Sequence, residues 1–95
     1  MKKINLAIVG ATGMVGRTFL KILEEKDFPF DKLYLFASKN SKGKKLFCKG
    51  NEYTVEELTE DSFKKDIDIA LFSAGSKVSL KFAPIAKKEG VIVVD

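Results

Sequence analysis

Ninety-five residues, 45% of them apolar, bound this chain to one domain, residues 1–95, with a modest core, and no apolar run approaches the roughly 20 residues that span a bilayer. With no histidine and one cysteine, Cys48, the composition excludes an internal disulfide and a soft-metal ligand set, so no metal site is expected, and it removes the commonest general base. The formal net charge of +4 is moderate, its lysines scattered apart from a cluster at 39–49 and most aromatics locked in apolar patterns, which argues against the basic stripe of a nucleic-acid binder.

The run Ile4–Val9 reads as a buried strand, rich in β-branched residues and ending at Gly10. It follows Lys2-Lys3 but is too short, and too broken by Asn5, for a secretory signal, so the expected setting is cytoplasmic. Met14 to about Lys26 carries apolar residues at 15, 19, 22 and 23, the stripe of an amphipathic helix. Asp27–Asp31 ends it around Pro29. Leu33–Ala37 is a second strand, closing a βαβ unit. After a lysine-rich stretch, Leu46–Cys48 and Tyr53–Val55 flank Lys49–Glu52 as a short hairpin appended to the main sheet. Thr59–Phe63 is expected to form one helical turn and Ile67–Phe72 a third core strand. Val78, Phe82, Ile85 and Ala86 repeat the helical stripe, with a kink or restart expected at Pro84 and Gly90 ending the helix. Val91–Asp95 is apolar almost throughout, as buried parallel strands are. The alternation predicts an α/β fold: a Rossmann-like parallel sheet with helices on its faces and the hairpin appended. A chain stopping on a core strand is expected to be part of something longer, because ligand-binding residues follow such strands.

The turn Gly10-Ala11-Thr12-Gly13-Met14-Val15-Gly16 joins the first strand to the first helix. Strand, glycine turn and helix in that order suit a dinucleotide pyrophosphate: Gly10 for the sharp turn, Gly13 for close approach of backbone N–H groups, Gly16 for helix–strand packing. The helix N-terminus adds partial positive charge. The spacing is GxxGxxG rather than the commoner GxGxxG, and the alternative is a turn that only packs a βα unit.

An acidic residue about 20 residues past the glycines would favour NAD. The stretch Ala37-Ser38-Lys39-Asn40-Ser41-Lys42-Gly43-Lys44-Lys45 holds none, offering hydroxyls, an amide and ammonium groups instead. Such donors suit the extra phosphate of NADP, so the loop reads as a 2′-phosphate site, the alternative being a solvated basic loop. Ser73-Ala74-Gly75 follows the third core strand and faces the same crevice, either bordering the cofactor or forming a tight turn with Ser76 as helix cap. Cys48 has no histidine to activate it and reads as a small apolar side chain. Asp66 and Asp68 read as solvated strand ends.

Together these stretches resemble the N-terminal domain of the aspartate-semialdehyde dehydrogenase family. The likeness lies in Ala7–Gly16, Ala37–Lys44, Tyr53–Leu58, Asp68–Gly75, Ala83–Ala86 and Gly90–Asp95, nearly the whole chain. It implies reduction of L-aspartyl 4-phosphate to L-aspartate 4-semialdehyde with NADPH, in the pathway to lysine, threonine and methionine. It implies that Gly10 and Thr12-Gly13-Met14-Val15 hold the cofactor phosphates, that Ser38, Asn40 and Ser41 meet the 2′-phosphate, and that Ser73-Ala74-Gly75 border the cofactor. Many members carry arginine where this chain has Asn40, which leaves Lys39 or Lys42 to supply the charge. The family's nucleophilic cysteine and its histidine match no residue here. The resemblance thus implies a cofactor-binding part that is inactive alone, a small-molecule substrate held mainly by a further domain, and a homo-oligomeric full-length enzyme. Two alternatives stand beside it: the related N-acetyl-γ-glutamyl-phosphate reductase, disfavoured by Met14 and Arg17, and a stand-alone nucleotide-binding module without a reaction of its own.

Overall fold

The structure is a computed structural model describing residues 3–95. Its elements run β1 (Ile4–Val9), α1 (Met14–Glu25), β2 (Phe30–Ala37), β3 (Lys45–Cys48), β4 (Asn51–Glu57), β5 (Ile69–Phe72), α2 (Ser76–Lys88) and β6 (Ile92–Val94), with short 3₁₀ turns at Lys39–Ser41 and Ser62–Lys64. The strands form one six-stranded sheet in the order β3-β4-β2-β1-β5-β6. Every neighbouring pair is parallel except β3 with β4. The Rossmann-like expectation holds, with the hairpin integrated more deeply than foreseen. Strand β4 pairs with β2 through Leu35, Phe36 and Ala37, so β3 serves as the return leg that a crossover helix provides elsewhere.

The two-residue period of β1 divides the core into layers. Leu6 and Ile8 face α1, packing with Leu20, Leu23, Leu35, Cys48 and Val55. Ala7 and Val9 face the other side, with Phe36, Phe63, Phe72 and Ala86 of α2. On that side Phe63 bridges Phe36 and Phe72, with ring centroids 6.0 and 5.9 Å away.

Several boundaries move. In α1 the buried residues are Gly16, Leu20 and Leu23, while Val15 and Ile22 of the expected stripe are exposed. The reason is steric: the face holding Gly16 approaches the sheet most closely. The helix ends on Asp27 in the left-handed region, with Phe28 N–H on the Leu23 carbonyl, so its stop precedes Pro29 and β2 starts at once after the proline. The early start of β2 includes a bulge opposite Ile4–Leu6, which the buried Asn5 side chain fills by accepting from Lys32 N–H. Asp68, expected to be merely solvated, accepts a hydrogen bond from Asn5 N–H at 2.8 Å. The hairpin turn shrinks to Lys49-Gly50, both at positive φ, which fits the right-handed twist of the strands. The turn expected at Thr59–Phe63 lies at Ser62–Lys64, and the third core strand begins at Ile69.

Helix α2 runs unbroken through Pro84. Pro84 and Leu80, whose carbonyl loses its usual partner, both lie on the exposed side, where water can satisfy that oxygen. Gly90 follows the C-cap at φ 83°, as expected of a helix-ending glycine. The last strand is not buried: β6 pairs only with β5, and Ile92 and Val94 are exposed. A continuous apolar run looks the same on a central strand and on an edge.

Candidate cofactor site

The parallel strands end together where the chain changes direction: β1 leads to β2 on one side, and β5 lies on the other. Open α/β sheets bind ligands in the crevice outside that point. A cavity of about 290 Å³ lies there, lined by Val9, Gly10, Thr12, Ala37, Ser38, Leu58, Ala74, Val78 and Phe82.

Its floor is built by close backbone contacts. Gly10, at φ 88°, leaves β1 with its N–H on the Phe36 carbonyl at 2.8 Å, pinning the turn to β2. A Cβ on Gly10 would lie 2.9 Å from the backbone of Ala74. A Cβ on Gly16 would lie 2.3 Å from the Gly10 carbonyl oxygen and 2.7 Å from Ala11 Cα. These two glycines therefore let β1, the β5–α2 turn and α1 converge. Gly13 is different: a Cβ there meets only the Gly10 oxygen at 3.5 Å, an ordinary contact. Nothing inside the protein demands a glycine at 13.

Gly13 is the N-cap of α1, with no capping side chain and no acidic residue in the first turn. The first N–H groups of a helix have no intrahelical partner, so those of Met14 and Val15, both exposed residues, are available to an anion. Arg17 folds back to donate from Nε to the Thr12 carbonyl at 3.2 Å, bringing a guanidinium to the turn. Helix α2 starts in the same manner on Gly75, at φ 92°, again without a side-chain cap or an early acidic residue. The expected cap, Ser76, is instead the first helical residue.

The loop after β2 is tightly held. Ser41 N–H donates to the Ser38 carbonyl, Gly43 N–H to Val55, Lys44 N–H to Ser41 and Val55 N–H to Lys44. Ser38, Lys39, Asn40 and Lys42 are exposed, and neither lysine forms an ion pair among the described residues. Ser41 is buried and turned toward Thr12, their hydroxyl oxygens 3.1 Å apart. Ser73 is likewise directed inward, its hydroxyl donating to the Val9 carbonyl at 2.9 Å, which ties β5 to the glycine turn.

The expected site residues thus divide. Gly10, Thr12, Ser38 and Ala74 line the cavity; Gly13, Met14, Val15 and Gly75 form the two helix starts; Asn40 stands exposed on the loop; Ser41 and Ser73 hold protein partners. Leu58, Val78 and Phe82, which give the cavity its apolar wall, were not singled out as site residues. Val78 and Phe82 lie four apart on α2, and that spacing also serves a helix packing on a sheet.

Cys48 lies in the α1-side core, fully buried, with its thiol on the Leu20 carbonyl. Burial, with a smaller contribution from Glu24, pushes its pKa up against the opposing pull of Lys49. A raised pKa means less thiolate at any working pH. Cys48 is therefore expected to resist iodoacetamide at pH 8 in the folded protein and to react promptly in denaturant; fast labelling of the native state would contradict this placement.

The family model described as "Semialdehyde dehydrogenase, NAD binding domain" matches residues 5–95. The chain is similar to the aspartate-semialdehyde dehydrogenase of Aquifex aeolicus, at 59% identity over 91 residues, covering 96% of this chain and 27% of that protein. It is 50% identical over 95 residues to the aspartate-semialdehyde dehydrogenase of Campylobacter jejuni, covering 99% of this chain and 28% of that one. The crystal structure of aspartate semialdehyde dehydrogenase II from Vibrio cholerae, complexed with ASA, superposes with a TM-score of 0.94 at 46% identity, covering 99% of this chain and 30% of that chain. The chain thus spans less than a third of the length of these relatives.

Proposed function

The chain belongs to the semialdehyde dehydrogenase family, as its NAD-binding domain, and we propose that it is the cofactor-binding part of an aspartate-semialdehyde dehydrogenase. The proposed reaction reduces L-aspartyl 4-phosphate to L-aspartate 4-semialdehyde with NADPH, in the cytoplasm, on the route to lysine, threonine and methionine. The observation that carries this reading is the pairing of an uncapped helix start after Gly10–Gly13 with a neighbouring loop that offers donors and no carboxylate.

The residues present fit a dinucleotide. Backbone N–H groups of Met14 and Val15 take the pyrophosphate, helped by Arg17, while the Gly13 N–H stays on the Gly10 carbonyl; the apolar wall of Leu58, Val78 and Phe82 suits the adenine. Ser38, Asn40 and Ser41, with Lys39 or Lys42, meet the 2′-phosphate, and Ser73-Ala74-Gly75 leave room along the β5 side. When bound, the nicotinamide supplies hydride. This chain's share is to hold and orient the cofactor. Its one cysteine is buried away from the crevice, so the nucleophile and the acid–base group belong to the part of the enzyme beyond these residues, as do most of the substrate contacts and the homo-oligomer interface.

Calorimetry with NADP and NAD tests the reading. NADP is expected to bind at least about tenfold more tightly, since each charge-assisted hydrogen bond contributes about 1.5–3 kcal/mol and 1.4 kcal/mol is tenfold. Equal affinities would defeat the 2′-phosphate assignment. Ser38→Asp places a carboxylate beside that phosphate and is expected to weaken NADP about tenfold while sparing NAD.

A further inference from the structure

The turn after β1 and the loop after β2, the two segments proposed to meet phosphate, are joined by a side-chain hydrogen bond. Thr12 Oγ1, in the turn after β1, lies 3.1 Å from Ser41 Oγ, in the 3₁₀ turn after β2, and either atom can be the donor. Each hydroxyl has one proton and two lone pairs. Only one proton can lie between the two oxygens, so the other hydroxyl keeps its proton for a different acceptor. The pair therefore has two states. With Thr12 donating, the Ser41 proton is left for an acceptor other than Thr12; with Ser41 donating, the Thr12 proton is left for one other than Ser41.

A phosphate dianion offers only acceptors. Beside Ser38–Lys42 it selects the state in which Thr12 donates to Ser41 and Ser41 donates outward. Hydrogen bonds in such a chain polarise one another, so the outer donor is strengthened by the inner one. Ser41 is buried and its backbone is fixed by Ser41 N–H on the Ser38 carbonyl and by Lys44 N–H on its own carbonyl. The remaining freedom is the hydroxyl rotation, and Thr12 is the side chain in a position to set it.

We infer that Thr12 is a positioning residue for cofactor discrimination, acting through Ser41 to favour a ligand bearing a 2′-phosphate over one with a free 2′-hydroxyl. The inference rests on the reading of Ser38–Lys42 as the 2′-phosphate site. It assigns to a residue of the pyrophosphate turn a role in recognising the other end of the cofactor.

The test is calorimetric titration of the intact protein with NADP and with NAD, for the wild type, Thr12→Val, Thr12→Ser, Ser41→Ala and the double variant Thr12→Val/Ser41→Ala. Valine keeps the shape of threonine and removes the hydroxyl; serine keeps the hydroxyl. Thr12→Val is expected to weaken NADP about tenfold and NAD less than about threefold, the size of one hydrogen bond to a charged group. Thr12→Ser should restore NADP binding to within about threefold of wild type, and Thr12→Val should add nothing once Ser41 is alanine. Equal losses for NADP and NAD in Thr12→Val would overturn the proposal, since Thr12 would then act on the shared pyrophosphate. Additive losses in the double variant would overturn it as well, because the hydroxyls would act independently. A wild-type protein that binds NADP and NAD equally would instead defeat the 2′-phosphate reading itself, and the role of Thr12 with it.

Discussion

Gly16→Ala is expected to destabilise the fold by about 3 kcal/mol, the upper end of the usual cost of overpacking. The added methyl would sit 2.3 Å from the Gly10 carbonyl oxygen and within 2.9 Å of Ala11 backbone atoms. Those neighbours are main chain, held by Gly10 N–H and Ala11 N–H on the Phe36 carbonyl, so they cannot swing aside as a side-chain end would. Alanine's better helix propensity returns only about 1 kcal/mol. Against a total stability of about 5–15 kcal/mol, such a loss lowers the melting temperature by more than about 10 °C. Thermal unfolding followed by far-ultraviolet circular dichroism measures it. A melting point within about 2 °C of wild type would mean that α1 does not rest on the glycine turn in this way.

Gly13→Ala is expected to do the reverse, sparing the fold and abolishing tight cofactor binding. At φ −76° an alanine is unstrained, and its Cβ would lie 3.5 Å from the nearest atom outside its immediate neighbours. The cost to stability is that of a poorer N-cap, about 1 kcal/mol. The cost to binding is larger, because the methyl stands where phosphate oxygens must come within hydrogen-bond reach of the first helical N–H groups. Losing two charge-assisted bonds weakens NADP about a hundredfold. Melting and calorimetry on the same sample separate the two effects. Undiminished affinity for NADP in a folded Gly13→Ala protein would remove the pyrophosphate from this turn.

The contrast between these glycines shows what could be read from residues alone. Spacing gives each of the three a purpose, and for Gly10 and Gly16 the close approaches agree with it. Which face of α1 turned inward was harder. Val15, Phe19, Ile22 and Leu23 form an acceptable stripe, but so do Gly16, Phe19, Leu20 and Leu23, about one residue out of phase. Large side chains announce burial, whereas the deciding contact is made by a residue with no side chain. The end strand illustrates the complementary difficulty: Ile92 and Val94 are as apolar as any core strand, and only the pairing order shows that they lie on an edge.

At the site, residue types were legible and their directions were not. Ser38, Lys39 and Asn40 are exposed, a placement that the proposed phosphate loop and a merely solvated one share. Ser41 and Ser73 offer the same hydroxyl chemistry, yet each bonds a protein partner far away in sequence: Thr12 across 29 residues and Val9 across 64. No local pattern encodes such partners. Leu58, Val78 and Phe82 carry no cavity-specific signal in the sequence, because the wall of a crevice and a hydrophobic core draw on the same residue types. Asn5 shows the converse, a polar residue whose strand position hid its use in closing the bulge of β2.

The backbone bonds that hold Ser38–Lys44 to β4 also fix how binding should look in a calorimeter. A loop already ordered has little left to fold when a ligand arrives. The heat-capacity change on association should then reflect only the surfaces that ligand and crevice bury against each other, without the excess that accompanies coupled folding. On the proposed reading, affinity would be set by fit and charge, with little of it spent on arranging the receiver.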